Sequence, residues 1–159
     1  MKPFATTAVA ATLAAGAALA SETAPGDVVF DEYGAVEVSL TGAAGDPQRG
    51  AEIITARSKG NCIACHEVTA LKDAPFHGEV GPILDGAGSR WTEAELRGLV
   101  ANSKMTFDGT VMPAFYKTTG FIRPGDAYTG KAAPADLPPI LTAQEIEDVV
   151  AYLATLKDE

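Results

Sequence analysis

The run Cys62-Ile63-Ala64-Cys65-His66 decides how the rest of this chain is read. It has the form C-x-x-C-H, the attachment sequence for a covalently bound c-type haem. Two thiols three positions apart can each form a thioether to one porphyrin vinyl group. His66 then stands where its imidazole can reach the iron as proximal axial ligand. Three other chemistries use the same residue types: a thioredoxin-like redox pair, half of a zinc site, and a structural disulfide.

Cysteine arithmetic weakens all three alternatives together. The chain holds two cysteines, both inside the run, and His77 is the sole other histidine. A disulfide within the run would close a tiny loop and constrain little. A zinc site built from four cysteines, or from two cysteines and two histidines, lacks ligands. A thioredoxin-like pair belongs at a strand-to-helix junction inside a βαβ pattern, which the flanking sequence does not offer.

The N-terminus supplies a compartment. Lys2 precedes an almost uncharged Ala/Val/Leu run, and Ala18-Leu19-Ala20 makes an A-x-A cleavage signal before Ser21. Residues 1–20 are therefore expected to be a signal peptide, and the mature protein to be exported to the periplasm. No later stretch has the length of a membrane span. The mature remainder is enough for one domain with a real core and too short for two ordinary ones. The formal net charge of the full chain is −9. That balance argues against nucleic acid or an anionic membrane surface as a partner, and suits steering toward a basic protein face or simple solubility.

Residues 21–45 read as an irregular N-terminal extension broken by Gly26, Gly34, Gly42 and Gly45, with a short strand-like alternation through Val36, Val38 and Leu40. Such a lone strand is expected to form a local hairpin or lie along the domain. Asp46-Pro47 opens the first helix, Asp46 as N-cap and Pro47 at the first helical position, and Lys59-Gly60 is expected to end it. Gly50 inside that helix is unfavourable by about 1 kcal/mol relative to alanine, which points to another helix approaching closely. Residues 67–90 are turn-rich. Thr92 and Glu95 form a capping box for a second helix through Leu96, Leu99 and Val100, and Thr142 and Glu145 form another for a last helix. In that last helix Ile146, Val149, Val150, Leu153 and Leu156 trace one apolar stripe. The order is all-α around something, with too few helices for a large core unaided. A haem would supply the missing apolar bulk.

A His/Met ligand pair favours a higher haem reduction potential. The candidates opposite His66 are Met105, Met112 and His77. His77 lies only eleven residues past His66 and reads as a solvent-exposed loop histidine. Met105 follows the second helix and reads as packing. Met112, in Val111-Met112-Pro113-Ala114-Phe115, is free of helical constraint and stiffened by Pro113, and is taken as the distal axial ligand. From there to Thr142 runs a connection longer than a compact domain normally tolerates without purpose. It carries Phe115, Tyr116, Phe121 and Tyr128, which suit haem cover or the apolar centre of an interface. Trp91 reads as packing and Arg90 as a solvated cation.

These residues together resemble the class I cytochromes c: Cys62, Cys65 and His66, Gly81-Pro82 with Leu84, Met112-Pro113, and the terminal helix through Val149-Val150-Ala151-Tyr152-Leu153. The resemblance implies the class I cytochrome c fold over residues 46–159, with the 21–45 extension and a long irregular loop before the C-terminal helix. It also implies that Gly50 meets Tyr152 where the first and last helices cross, and that the Pro82 carbonyl accepts a hydrogen bond from the proximal imidazole of His66.

Gly60-Asn61-Cys62-Ile63-Ala64-Cys65-His66, Val111-Met112-Pro113-Ala114-Phe115-Tyr116 and Leu141-Thr142-Ala143-Gln144-Glu145-Ile146-Glu147-Asp148-Val149-Val150 are further similar to the SoxX family. Its members are the monohaem subunits of SoxAX cytochromes in bacterial thiosulfate oxidation. This likeness implies one covalent haem c and a SoxA-like cytochrome subunit as heterodimer partner. It implies transient contact with a SoxYZ-like carrier and an electron-acceptor cytochrome c. The activity implied is that of an L-cysteine S-thiosulfotransferase whose catalytic cysteine lies on SoxA, with no catalytic residue on this chain. A free-standing mobile electron carrier is the competing reading, and a haem enzyme with an open iron site is disfavoured by Met112.

Overall fold

The computed structural model describes residues 21–125 and 129–158. The expected signal peptide and Tyr128 lie outside the described residues. Among the described residues four α-helices organise the fold: α1 Pro47–Thr55, α2 Ala87–Arg90, α3 Glu93–Asn102 and α4 Ala143–Thr155. Single 3-10 turns at Cys62–Ala64, Thr69–Leu71 and Ser103–Met105 sit in the connections. The described residues form no β-strand, only one isolated bridge between Gly125 and Ala132.

The sequence signals for helix starts act as written. The Asp46 carboxylate accepts from the amides of Gln48 and Arg49, and Thr92 and Thr142 each complete a reciprocal capping box, with Glu95 and Glu145. The end of α1 differs from expectation. It stops at Thr55 rather than running to Lys59, because the chain must reverse to bring Gly60 and Cys62 back beside Ile53. The four-residue α2 falls in a stretch that its glycines mark only as turns.

The core is one cluster in which Ile53, Ile54, Leu96, Val100, Ile146, Val149, Val150 and Leu153 meet Val36, Leu40, Phe115, Tyr116 and Leu141. At its centre α1 crosses α4 with almost no space between backbones. A β-carbon at Gly50 would overlap the Asp148 carbonyl and press on Cβ of Tyr152. Gly45 and Gly88 stand in the same relation to the carbonyls of Glu147 and Ala154. The proposed contact of Gly50 with Tyr152 is thus present.

The extension forms no hairpin; it lies along the domain as a strap. Val36 and Leu40 enter the core while Val38 stays exposed, and the strap's backbone polar groups find partners on the helices and within the strap itself. The Val36 amide donates to the Ala94 carbonyl at 2.9 Å, and the Thr23 amide to the Leu40 carbonyl at 2.7 Å. The Leu40 amide donates to Oε1 of Glu147 at 2.7 Å. Arg97 reaches the Val36 carbonyl with Nη1 at 2.8 Å and grips Glu147 with Nε at 2.9 Å and Nη2 at 3.1 Å. Arg97 and Glu147 are both buried. Neighbouring Asp148 is buried too, accepting from the Asp46 amide and from Gln144 and facing Arg49. The face of α4 that its apolar stripe leaves polar is therefore also covered.

A buried ion pair is costly to half-remove and cheap to replace by well-packed apolar groups. Glu147→Ala is expected to destabilise the protein by ~3–5 kcal/mol and to expose the amides of Val36 and Leu40 to hydrogen exchange. The double change Arg97→Met with Glu147→Leu should recover only part of that loss, because the Leu40 amide and the Val36 carbonyl then lack their side-chain partners. Guanidinium unfolding with exchange mass spectrometry checks both.

Candidate haem-binding site

The attachment run follows the reversal after α1. Asn61 takes the left-handed conformation at φ 46°, ψ 38°, which asparagine tolerates better than most residues. The Cys62 carbonyl then accepts from the amides of Cys65 at 3.0 Å and His66 at 2.9 Å. This single helical turn sets both thiols and the imidazole on one short rigid unit. Cys62 packs half-buried against the core and Cys65 is exposed; the two form no disulfide. Burial pushes the Cys62 thiol up to about 12, so as a free group it is protonated at neutral pH and a poor nucleophile.

A second loop is knitted to the first. The Gly78 amide donates to the Ile63 carbonyl at 2.7 Å, Gly81 to Cys65 at 2.8 Å, and Leu84 to Glu67 at 3.0 Å. Only glycine fits at two of these positions: a β-carbon on Gly78 would strike the Ala64 carbonyl, and one on Gly81 would fall on the His66 ring. Past Gly81 the Pro82 carbonyl sits 2.7 Å from Nδ1 of His66. A carbonyl can only accept, so Nδ1 carries the proton and Nε2 holds its lone pair free for a metal.

His77 is not the exposed loop histidine expected. It is half-buried, with Nδ1 accepting from the Val68 amide at 3.2 Å and Nε2 donating to the Leu71 carbonyl at 3.1 Å. Both ring nitrogens are committed to pinning the 3-10 turn Thr69–Leu71. Arg90 likewise is not simply solvated: it donates to the carbonyls of Asp85 at 2.7 Å and Ile83 at 3.2 Å, tying off the turn after Pro82. Trp91 packs edge-to-face on Phe107 with ring centroids 6.2 Å apart.

Met112 packs half-buried against the core cluster, in a segment held to α3 by the Tyr116 amide donating to the Ala101 carbonyl at 3.0 Å. Met105 is not interior packing. It is 48% exposed and borders a hollow of about 350 Å³ with Tyr33, Trp91 and Leu99. Phe115 and Tyr116 are core residues rather than interface, and the Tyr116 hydroxyl donates to the Thr23 carbonyl at 2.7 Å.

The residues present fit a covalent haem. The free Cys62 and Cys65 are spaced for two thioethers, the His66 tautomer leaves Nε2 available, and Gly81 leaves the imidazole face uncrowded. No cluster of three or more His, Cys, Asp or Glu converges on a metal among the described residues, so a zinc site has no ligand set.

Residues 47–157 match the cytochrome c family. No curated protein matches the sequence. Among solved structures, a chain of the crystal structure of SoxXA from P. pantotrophus is 62% identical, with a TM-score of 0.83. The match covers 87% of this chain and 100% of that one. The chain is a haem c protein, and it belongs to the cytochrome c family as a member of its SoxX branch.

Proposed function

We propose that this protein is the electron-relay subunit of a periplasmic SoxAX-type L-cysteine S-thiosulfotransferase. The observation that carries the reading is the 62% identity to a chain of SoxXA across that chain's full length. In the reaction, a carrier cysteine thiol on a SoxYZ-like protein joins the outer sulfur of thiosulfate. One S–S bond forms, the S–H bond breaks with loss of a proton, and two electrons leave. Bound haem c supplies a one-electron iron couple, so each turnover requires two successive transfers and an acceptor such as a mobile cytochrome c.

The chain's own residues fix the geometry of that couple. Cys62 and Cys65 would anchor the group covalently, and His66, its ring oriented by the Pro82 carbonyl, and Met112 would hold its iron. A ring held by a backbone carbonyl cannot rotate when the charge on its partner changes. No residue here serves as a catalytic nucleophile, and the reactive cysteine belongs to the SoxA-like partner.

Exposed apolar groups support a heterodimer over a free carrier. In the loop before α4, Ile122 is 99% exposed and Phe121 and Ile140 are also open to solvent. Beside the attachment turn, Phe76 is exposed, held at φ 71° and stacked under the Arg57 guanidinium 5.0 Å from its centroid. Backbone strain of that kind costs on the order of 1–3 kcal/mol and concentrates where binding needs it.

Purification of the native protein from source periplasm is expected to bring down a larger cytochrome subunit with thiosulfate-oxidising activity. A stable lone monomer without that activity would favour the mobile carrier. Met112→Ala is expected to abolish the methionine–iron charge-transfer band of the oxidised spectrum, and an unchanged band excludes Met112 as ligand. Ile122→Asp should weaken co-elution with the SoxA-like subunit roughly tenfold or more, as loss of a buried apolar anchor does, while leaving the haem spectrum intact.

A further inference from the structure

Met112 is held by its backbone from three directions. Its carbonyl accepts from Oγ of Ser103 at 3.2 Å and from the Lys104 ammonium. Its amide donates to Oγ1 of Thr110 at 3.3 Å, and the following residue is Pro113, whose ring fixes φ. The Lys104 ammonium also reaches the Thr110 carbonyl at 3.2 Å. It therefore closes the loop between residues 104 and 112 like a staple.

Its first half is held by the amides of Thr106 and Phe107 donating to the Ser103 carbonyl and by Phe107 against Trp91; past Phe107 little else holds it. Phe107, Asp108, Gly109 and Val111 are exposed, Val111 at 81%, and Gly109 turns the chain at φ 73°. Full apolar burial anchors the segment only from Ala114 onward, while Met112 itself is half-buried against the core cluster. Ser103, by contrast, is buried. If the loop lifts, its hydroxyl loses the Met112 carbonyl inside the protein, where an unpaired polar group is expensive.

A thioether is a neutral ligand on a side chain with three rotatable bonds, so its hold on iron depends on how firmly its backbone is placed. We propose that Ser103 and Lys104 are positioning residues for the distal axial ligand: they clamp the Met112 carbonyl to the end of α3 and so keep the thioether on the iron. The proposal rests on the reading of Met112 as that ligand. It assigns the exposed Lys104 a task at the haem, although its side chain need touch neither haem nor partner. The 3-10 turn Ser103–Met105 becomes the fixed abutment against which the ligand loop is set.

The test uses oxidised holoprotein and exogenous cyanide, which binds only when the distal ligand leaves. Lys104→Met, Ser103→Ala and their combination are compared with wild type. The readouts are cyanide-binding rate, thermal loss of the methionine–iron band, and the guanidinium midpoint from helix circular dichroism. Lys104→Met is expected to bind cyanide about tenfold faster, the loss of one charge-assisted hydrogen bond. The double variant should be faster still, with the band fading on warming before the helices melt. Lys104→Arg should return the rate to near the wild-type value. If the double variant does not fold, exposed Lys104→Met decides alone. Unchanged cyanide kinetics, or a loss of band that only tracks global unfolding, overturns the proposal. A band that survives in Met112→Ala overturns the ligand reading and this proposal with it. A band lost there but indifferent to Ser103 and Lys104 overturns this proposal alone.

Discussion

The main chain of α4 between Glu147 and Ala154 is the surface against which the rest of the molecule is set. Gly45, Gly50 and Gly88 approach the carbonyls of Glu147, Asp148 and Ala154 so closely that a methyl group would overlap each one. Glycine inside a helix is unfavourable by about 1 kcal/mol relative to alanine, and here the return is the close crossing of α1 on α4. That crossing fixes where α1 ends. The end of α1 fixes where the chain reverses, and the reversal presents Cys62, Cys65 and His66 at the edge of the core. The haem site is thus positioned by a backbone-to-backbone contact some distance from it.

Where polar signals and local geometry coincide, the sequence is transparent. Asp46, Thr92 and Thr142 open helices as their cap chemistry requires, and the attachment run needs no fold to be recognised. The interior polar group of Arg97, Glu147 and Asp148 is a different matter. On a helical wheel these residues belong to the hydrated face, and nothing local says that the strap through Val36 and Leu40 will cover it. The pairing of Glu147 with the Leu40 amide spans 107 positions, beyond the reach of any periodicity. His77 was illegible for a related reason. Its partners are an amide and a carbonyl of a 3-10 turn, and no residue type advertises a main-chain partner.

The same distinction separates the two halves of the site. His66 is fixed by contacts within about twenty residues of sequence: Gly81 against its ring and the Pro82 carbonyl at Nδ1. These could be anticipated from the glycine and proline that follow the run. The Met112 segment is held from α3 and, through Tyr116, from Thr23 at the start of the strap. Its position therefore depends on contacts across the fold as well as on those near in sequence from Ser103, Lys104 and Thr110.

The strap and the loop before α4 are both additions to a minimal electron carrier, yet they use their residues in opposite ways. The strap puts Val36 and Leu40 into the core and matches its main-chain polar groups with Arg97, Glu147 and Ala94. Little of its binding capacity is left for another molecule. The loop turns Phe115, Tyr116 and Leu141 inward at its two ends and leaves Phe121, Ile122 and Ile140 outside. Apolar side chains exposed in water forgo roughly 1.5–3 kcal/mol each relative to burial. A loop that leaves them outside holds that energy available for a contact with another molecule. The strap therefore accounts for how the cytochrome holds together, and the loop supplies the exposed apolar surface on which the proposed contact with a partner subunit rests.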